Sequence, residues 1–266
     1  MLATLSFLVI SYVPEETLLG WVWRVPFLIS AVLFVVALYI RNQLEETPEY
    51  LAALARAAAN KQQHKVPLGE LLRGSPREVI FGFLSVTGHN ANAYILSAFC
   101  TSYMINTLGM SKQEALTATV ISAFCGIIGA PLLGALADRI GSAKVYMGGA
   151  AFVFVLAFPL FMLLDTKNVV FATIGMGLGY GIGFGGMAGA QGAFLANLFP
   201  TRYRFSGIAV SRELNGVLIA GPTPLIASYL VSLADGRPTY VAIYLMACCA
   251  LTIIAVLAIK HLSVHD

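Results

Sequence analysis

Polar side chains interrupt a long apolar stretch in the first half of the chain. Between residues 79 and 108 the sequence reads GHNANAY at positions 88–94. The polar side chains there are Ser85, His89, Asn90, Asn92 and Tyr94. At ~100° per residue in a helix, Ser85, His89 and Asn92 share one narrow stripe. Asn90 and Tyr94 fall on an adjoining stripe, so the segment is polar over a broad face.

Such groups are expensive in hydrocarbon and therefore need partners. A single transmembrane asparagine is explained by one hydrogen bond to a neighbouring helix, which contributes about 0.6 kcal/mol. Five polar groups within ten residues are more than helix association requires. We therefore expect them to face the interior of a helix bundle or a water-filled cavity. His89 also titrates near neutral pH, which makes it a candidate proton carrier.

A second group of polar candidates lies farther along the chain. Arg212 and Glu213 occur near one end of an apolar stretch, where a charge costs less than the roughly 2.5–3.5 kcal/mol expected at a helix centre. Arg212 is a candidate contact for an anionic substrate group or an acidic partner, and the alternative is a structural charge that reaches the interface. Gln191 and Asn215 are further candidates for a cavity wall.

The elements that position these residues follow from composition. The chain has 266 residues, 58% hydrophobic and 11% charged, against about 25% charged in a soluble domain. A helix that crosses a bilayer needs about 20 mostly apolar residues. Seven stretches meet or approach this length: 25–40, 79–108, 115–136, 145–164, 169–199, 207–233 and 240–260. The sequence predicts an all-α, polytopic membrane protein.

Basic residues fix the expected orientation. If the segment after residue 40 is cytoplasmic, twelve of the sixteen Lys and Arg lie inside and four lie outside, as the positive-inside rule requires. This places the linker 41–78 and the C-terminus in the cytoplasm. The basic residues are spread over separate turns, so we expect no nucleic-acid partner.

Three regions are predicted. Residues 1–40 hold a partial helix, an outer loop over 14–24 and one leading span, and residues 79–266 hold six spans joined by short turns. Residues 41–78 form a cytoplasmic linker, in which Thr47 and Pro48 begin an amphipathic helix and KVPLGELLRG adds a second. The partial helix at Met1 leads to the expectation that the chain is a fragment.

Two spans have unusual backbones. Gly177, Gly181, Gly185 and Gly189 recur every four residues, which favours close helix contact and, as an alternative, a bendable helix along a pathway. Pro222 and Pro224 remove backbone donors within another span. Such interruptions are tolerated where the backbone is buried or lines a cavity, and they point to a transport site.

Four segments of the chain carry recognisable motifs. GALADRIGSAK, residues 134–144, resembles the G-x-L-x-D-R-x-G signature of major facilitator transporters, through Gly134, Asp138, Arg139 and Gly141. WRVPFLIS, LEETPEY and LFPTRYRFSG narrow the resemblance to the metabolite–proton symporters of that superfamily. The chain departs from this pattern at Asn197, where the family usually has glutamate.

The resemblance implies a fold and a function. The chain would be the C-terminal half of a major facilitator fold, six helices in two inverted groups of three, preceded by one full and one partial helix. It would carry out secondary transport of a carboxylate or zwitterionic osmolyte, coupled to protons, across the cell (inner) membrane. Its partners would be the substrate, protons, the lipid bilayer and a missing N-terminal half.

The resemblance also assigns roles to residues. The helix with residues 88–94 lines the central cavity in this family. Ser85, His89, Asn90, Asn92, Tyr94, Gln191, Arg212 and Asn215 are therefore expected to bind substrate. Gly134, Asp138, Arg139 and Gly141 form a gating turn, in which Asp138 and Arg139 latch the inward-closed state against a helix of the first half.

Other classes of function are disfavoured. The sequence has no phosphate-binding loop, metal-ligand spacing or Ser/His/Asp constellation, so we expect no enzymatic activity, no cofactor and no metal site. The four cysteines lie within predicted spans without a CxxC pair and are expected to be packing residues. A seven-helix receptor fits the number of spans and remains the alternative.

Overall fold

The computed structural model describes residues 2–10, 12–43, 68–200 and 204–262. The chain divides into two compact units, Leu2–Pro67 and Leu68–Asp266. The first unit contains α1 (Leu2–Ile10), α2 (Glu15–Gly20), a 3-10 turn (Val22–Arg24) and α3 (Val25–Gln43). Short helical turns occupy most of the outer loop predicted over residues 14–24.

The second unit contains seven helices among the described residues. They are α4 (Leu68–Gly74), α5 (Pro76–Tyr94, Ile95–Phe99 and Cys100–Asn106), α6 (Lys112–Ile140), α7 (Ser142–Asp165), α8 (Val169–Leu178, Gly179–Phe184 and Gly185–Leu198), α9 (Arg204–Asn215, Gly216–Ala220 and Thr223–Leu233) and α10 (Thr239–Leu262). In this unit α5 packs against α9 and α10, α8 packs against α6 and α7, and α7 also packs against α10.

The predicted spans are confirmed as helices. Their ends agree within four residues, the widest case being Lys112–Ile140 against the predicted 115–136. Six helices are long and apolar enough to cross a membrane: α3, α6, α7, α8, α9 and α10. The long α5 is not among them, because its polar stretch lowers its hydropathy. No strand occurs in the described ranges, in agreement with the all-α expectation.

Local sequence determines where the spans begin and end. Ser111 caps α6: its hydroxyl accepts a hydrogen bond from the Glu114 amide at 3.2 Å, and the Glu114 carboxylate accepts one from the Ser111 amide at 3.0 Å, a reciprocal capping box. Asn168 caps α8 by accepting from the Val170 amide at 2.8 Å. Gly141 (φ 102°) makes the tight turn between α6 and α7, a conformation that favours glycine.

The linker prediction is tested only in part. The amphipathic helix expected from Thr47 lies outside the described residues. The second helix, in KVPLGELLRG, is confirmed as α4. Its Leu71 is buried in a small cluster with Val79 and Phe199, which holds α4 against the base of α5.

Glycines bring α6 and α8 into backbone contact. A Cβ added at Gly185 would lie 2.9 Å from the carbonyl carbon of Gly129, and one at Gly134 would lie 3.3 Å from the Gly189 carbonyl oxygen. Added Cβ atoms at Gly129 and Gly189 would collide with the carbonyl oxygens of Gly181 and Ala130. We call this contact of Gly129, Gly134, Gly181, Gly185 and Gly189 the glycine seam. It confirms the close approach that the four-residue spacing predicts.

Candidate functional site

The polar stretch of α5 has a buried side and an open side. Ser85, His89 and Asn92 are buried, with exposed fractions of 0%, 8% and 1%. Asn90 is half-buried and Tyr94 is 43% exposed. The two stripes expected from helical spacing therefore face different surroundings: one lies inside the bundle and the other borders its surface.

Ser85 and Gln191 belong to one buried network. The Ser85 carbonyl accepts hydrogen bonds from the Tyr146 hydroxyl at 3.1 Å and from the Thr252 hydroxyl at 2.9 Å. The Gln191 amide donates to the Tyr146 hydroxyl at 3.3 Å. Four helices (α5, α7, α8 and α10) therefore meet at this point. Sequence reasoning missed Tyr146 and Thr252, since single polar residues in apolar spans do not reveal their partners.

His89 and Asn92 contact α8. The His89 ring stacks on Phe184, with centroids 4.9 Å apart and planes at 23°. The Asn92 amide donates to the Gly179 carbonyl at 3.4 Å. His89 Nδ1 is a buried nitrogen without a hydrogen-bond partner among the described residues. Buried polar atoms are nearly always paired, so this nitrogen is an exception that a structural or functional role must explain.

A second polar cluster joins α5 to α9. The Asn90 amide donates to Asn215 Oδ1 at 2.8 Å. The Asn215 amide in turn donates to the Phe83 carbonyl at 2.8 Å and to the Thr87 hydroxyl at 2.9 Å. Asn215 is fully buried behind Asn90, so it fixes the orientation of the half-buried amide in front of it.

Charge on this side comes from α9. Arg212 and Glu213 are both exposed, and Arg212 precedes Asn215 by one helical turn. We call Asn90, Tyr94, Arg212 and Asn215 the open cluster.

Wide helical turns border these residues in three helices. A π-helical turn begins at Ile95, directly after Tyr94, and another begins at Gly216, directly after Asn215. The third, Gly179–Phe184, contains the contacts of Asn92 and His89. Single π turns within α-helices occur frequently at functional sites. In the sequence, only the glycines of α8 and the prolines of α9 indicated irregular backbone near these residues.

The break expected at the prolines of α9 is present. The Gly221 amide donates to the Gly216 carbonyl at 2.9 Å, one residue farther back than in an α-helix, Pro222 has no amide proton, and the regular helix resumes at Thr223. The Thr223 hydroxyl donates to the Ile219 carbonyl at 2.7 Å and also contacts the Tyr244 hydroxyl at 2.9 Å. The Thr223 side chain thus donates a hydrogen bond to a backbone carbonyl near the break. Backbone groups within a membrane need such partners.

The four residues of the expected gating turn lie at one end of the bundle. Gly134 belongs to the glycine seam and Gly141 makes the turn into α7. Asp138 and Arg139 are exposed in the last turn of α6, and the described residues offer neither of them an ion-pair partner. Their role as a latch stays a prediction.

A cavity of about 350 Å³ lies beside this turn. Its lining includes Gly141, Ser142, Lys144, Asn197 and Val256. Asn197 and Lys144 therefore line the same cavity. Asn197 is the position at which the sequence departs from the expected glutamate.

The structure thus divides the eight predicted site residues into two groups. The open cluster lies on α5 and α9, and the remaining four, Ser85, His89, Asn92 and Gln191, lie in the interior between α5, α7 and α8. No group of three or more His, Cys, Asp or Glu side chains that could hold a metal ion occurs in the described segments. The described cysteines are unpaired, and Cys100, Cys248 and Cys249 are buried.

The chain is 32% identical to the inner membrane metabolite transport protein YhjE of Escherichia coli K12, over 98% of this chain and 59% of that protein. It is 29% identical to the shikimate transporter of the same strain, over 92% and 56%, and 28% identical to the proline/betaine transporter of Salmonella typhimurium, over 96% and 51%. The chain therefore spans between about half and three fifths of the length of these relatives. No solved structure gives a significant match.

These relatives are named as transporters, in agreement with the expectation that the chain is not an enzyme. The sequence profile described as Major Facilitator Superfamily matches residues 3–216, which is most of the chain. With its membrane-spanning helices and the motif at residues 134–141, the chain belongs to the Major Facilitator Superfamily.

Proposed function

We propose that this chain forms the substrate-binding half of a secondary transporter for a small, carboxylate-bearing metabolite, either a simple carboxylate or a zwitterionic osmolyte. The observation that carries the proposal is the open cluster, in which a cation and a fixed amide border the exposed side of α5 and α9. The relatives are named for shikimate and for proline and betaine, all small molecules with a carboxylate.

Within this site the residues have distinct roles. Arg212 pairs with the substrate carboxylate, because a guanidinium offers two parallel N–H donors to it. Asn90 and Tyr94 contact the polar part of the substrate, and Asn215 positions Asn90 through their 2.8 Å hydrogen bond. Ser85, Asn92 and Gln191 hold α5 against α7 and α8. His89 reaches the substrate only when α8 moves away and exposes Nδ1.

The transport cycle needs a second half of the transporter to enclose the substrate site. Alternating access moves two halves about a site near the membrane midplane, and the match covers 56% and 51% of the length of the shikimate and proline/betaine transporters. We therefore propose that a first-half counterpart closes the open cluster and that Asp138 and Arg139 pair with it in the inward-closed state. The distribution of basic residues supports inner-membrane insertion with the gating turn in the cytoplasm.

Proton coupling is part of the proposal. Glu213 lies nine residues into α9, farther from a helix end than the other described acids, and it is exposed beside Arg212. His89 is the titratable group of the polar stretch. We propose that Arg212 and His89 together link substrate charge to proton movement. The remaining carriers would belong to the first half.

Equilibrium binding tests the site without requiring transport. The full chain is reconstituted in lipid nanodiscs and titrated with radiolabelled shikimate and betaine, and with the methyl ester of shikimate as the uncharged analogue. Arg212→Gln should weaken binding of the acid about tenfold or more, because a hydrogen bond to a charged group contributes about 1.5–3 kcal/mol. Ser228→Ala is the matched control, since that exposed α9 hydroxyl bonds only to its own helix.

Transport itself is measured in cells that lack their own shikimate and proline/betaine uptake. The chain is expressed alone and together with the first half of a matched relative, and uptake is followed with and without a proton uncoupler. The proposal requires uptake in the combined cells that falls when the uncoupler is added. Equal binding of the ester and the acid, or wild-type affinity in Arg212→Gln, would refute the carboxylate site.

A further inference from the structure

A second cavity lies at the opposite end of the bundle from the gating turn. Its volume is about 270 Å³, and it opens between the end of α7 and the beginning of α10. Its lining includes Phe158, Met162, Asp165, Arg237, Pro238 and Thr239. None of these residues belongs to the proposed transport site.

The cavity contains one acid and one base that do not touch. Asp165 and Arg237 are both exposed and line the same space, yet no ion pair joins them among the described residues. An exposed acid and base of this kind ordinarily gain a small favourable energy when they form an ion pair. Their separation across a cavity leaves room for a ligand that carries both charges.

Hydrogen bonds hold the side chain of Asp165 and the backbone of Arg237 in place. The Tyr103 hydroxyl of α5 donates to Asp165 Oδ1 at 2.7 Å, which leaves the second carboxylate oxygen for a ligand. Arg237 follows two residues with left-handed backbone, Asp235 (φ 52°) and Gly236 (φ 86°). Its amide closes the turn by donating to the Ala234 carbonyl at 3.0 Å. The acid is therefore oriented, and the turn that carries the base is formed, before a ligand arrives.

An apolar strip leads away from the charged end of the cavity. Val155, Phe158 and Met162 share one face of α7 with Asp165, at helical spacing. Val155 and Met162 are 72% and 70% exposed, so this face has no protein cover in the described unit. A ligand that fits both parts has a zwitterionic head and a long apolar tail. At the end of a membrane-spanning helix pair, that description fits a phospholipid.

We propose that this cavity binds the headgroup of a phospholipid with a primary ammonium, namely phosphatidylethanolamine. The phosphate pairs with the Arg237 guanidinium near the N-terminus of α10, where a helix also favours an anion. The ammonium donates to the free Asp165 oxygen, and one acyl chain lies along Phe158, Met162 and Val155. The site depends on the bilayer and not on the transport cycle, so it stands or falls separately from the proposed function.

The headgroup chemistry makes sharp predictions for wild-type protein. Trimethylation of the amine removes every N–H donor, so phosphatidylcholine should lose the bond to Asp165. Phosphatidylglycerol has no cation, so its headgroup leaves the Asp165 carboxylate beside the phosphate without a counter-charge. We therefore expect phosphatidylethanolamine to bind about tenfold or more tightly than either lipid, as the loss of one charge-assisted hydrogen bond implies.

Native mass spectrometry of the delipidated full chain, titrated with each lipid, measures these affinities. Asp165→Asn and Arg237→Gln should each abolish the preference for phosphatidylethanolamine, and Asp165→Asn keeps an acceptor for Tyr103. The matched controls are Asp235→Asn and Lys167→Gln, which remove the same charges from neighbouring turns outside the cavity and should leave the preference intact.

Three results would overturn the proposal. One is equal binding of phosphatidylethanolamine and phosphatidylcholine by wild-type protein. Another is wild-type preference in both cavity variants. The third is binding of soluble glycerophosphoethanolamine as tightly as the intact lipid, which would show that a free zwitterion, without help from the apolar strip, is the ligand.

Discussion

Replacement of Asn215 by alanine tests the link between α5 and α9. The side chain makes three hydrogen bonds, to the Phe83 carbonyl at 2.8 Å, to the Thr87 hydroxyl at 2.9 Å and from the Asn90 amide at 2.8 Å. Hydrogen bonds between helices in a membrane contribute about 0.6 kcal/mol each. Their loss should lower the free energy of the local opening that separates α5 from α9 by about 2 kcal/mol.

Buried cysteines provide the assay. Cys100 on α5 and Cys249 on α10 are fully buried, whereas Cys125 is partly exposed. When opening is fast relative to labelling, the rate of thiol modification follows the population of the open form. A decrease of about 2 kcal/mol should therefore accelerate labelling of Cys100 and Cys249 roughly thirtyfold. Labelling of Cys125 should change little and serves as the internal reference.

Two comparison variants separate this network from general damage to α9. Ser228→Ala removes an exposed hydroxyl that bonds to Pro224 of its own helix at 2.8 Å, and its labelling rate should match the wild type. Asn90→Ala removes only one of the three bonds and should accelerate labelling about threefold. An acceleration below threefold for Asn215→Ala, or one as large for Asn90→Ala as for Asn215→Ala, would refute the reasoning.

Four further substitutions have defined outcomes. Gly189→Ala should weaken the contact of α6 with α8 and accelerate thiol labelling, whereas Gly192→Ala, where an added Cβ meets nothing within 4 Å, should stabilise α8 by up to about 1 kcal/mol. Asn197→Glu should form an ion pair with Lys144 across their shared cavity, worth about 0.2–1 kcal/mol and lost in high salt, which a salt-dependent shift in thermal unfolding would report. His89→Phe should retain ring stacking and remove a buried nitrogen without a partner, so thermal stability should rise while substrate affinity in nanodiscs falls. Equal effects of the two glycine variants, a salt-independent response in Asn197→Glu, or unchanged stability and affinity in His89→Phe would contradict the respective arguments.

The helices could be predicted from the sequence because the length of each apolar stretch determines whether a helix can cross the membrane. The capping residues Ser111 and Asn168 and the turn glycine Gly141 then determine their ends. The glycine seam could also be predicted, since a spacing of four places small residues on one helix face. In each case the signal is local or strictly periodic along the chain.

The candidate site could be predicted only in part. Helical spacing separates the stripe of Ser85, His89 and Asn92 from that of Asn90 and Tyr94, but it does not show which one faces the interior. That depends on where α7 and α8 lie, and their contacts through Tyr146 and Phe184 are distant in sequence. The π turns escaped prediction for a related reason. One extra residue rotates everything after it by ~100°, and no residue type demands that insertion.

The glycine seam has a consequence for the gene that encodes this chain. Every single-nucleotide missense change in a glycine codon introduces a residue with a side chain. At Gly129, Gly181, Gly185 and Gly189 even the smallest of these would meet backbone or side-chain atoms of the opposite helix, whereas at Gly148 and Gly216 it would enter open space. A saturation library should therefore show depletion of all missense alleles at the first four codons and retention at the other two. Growth data alone would thus reveal which glycines form the contact between α6 and α8.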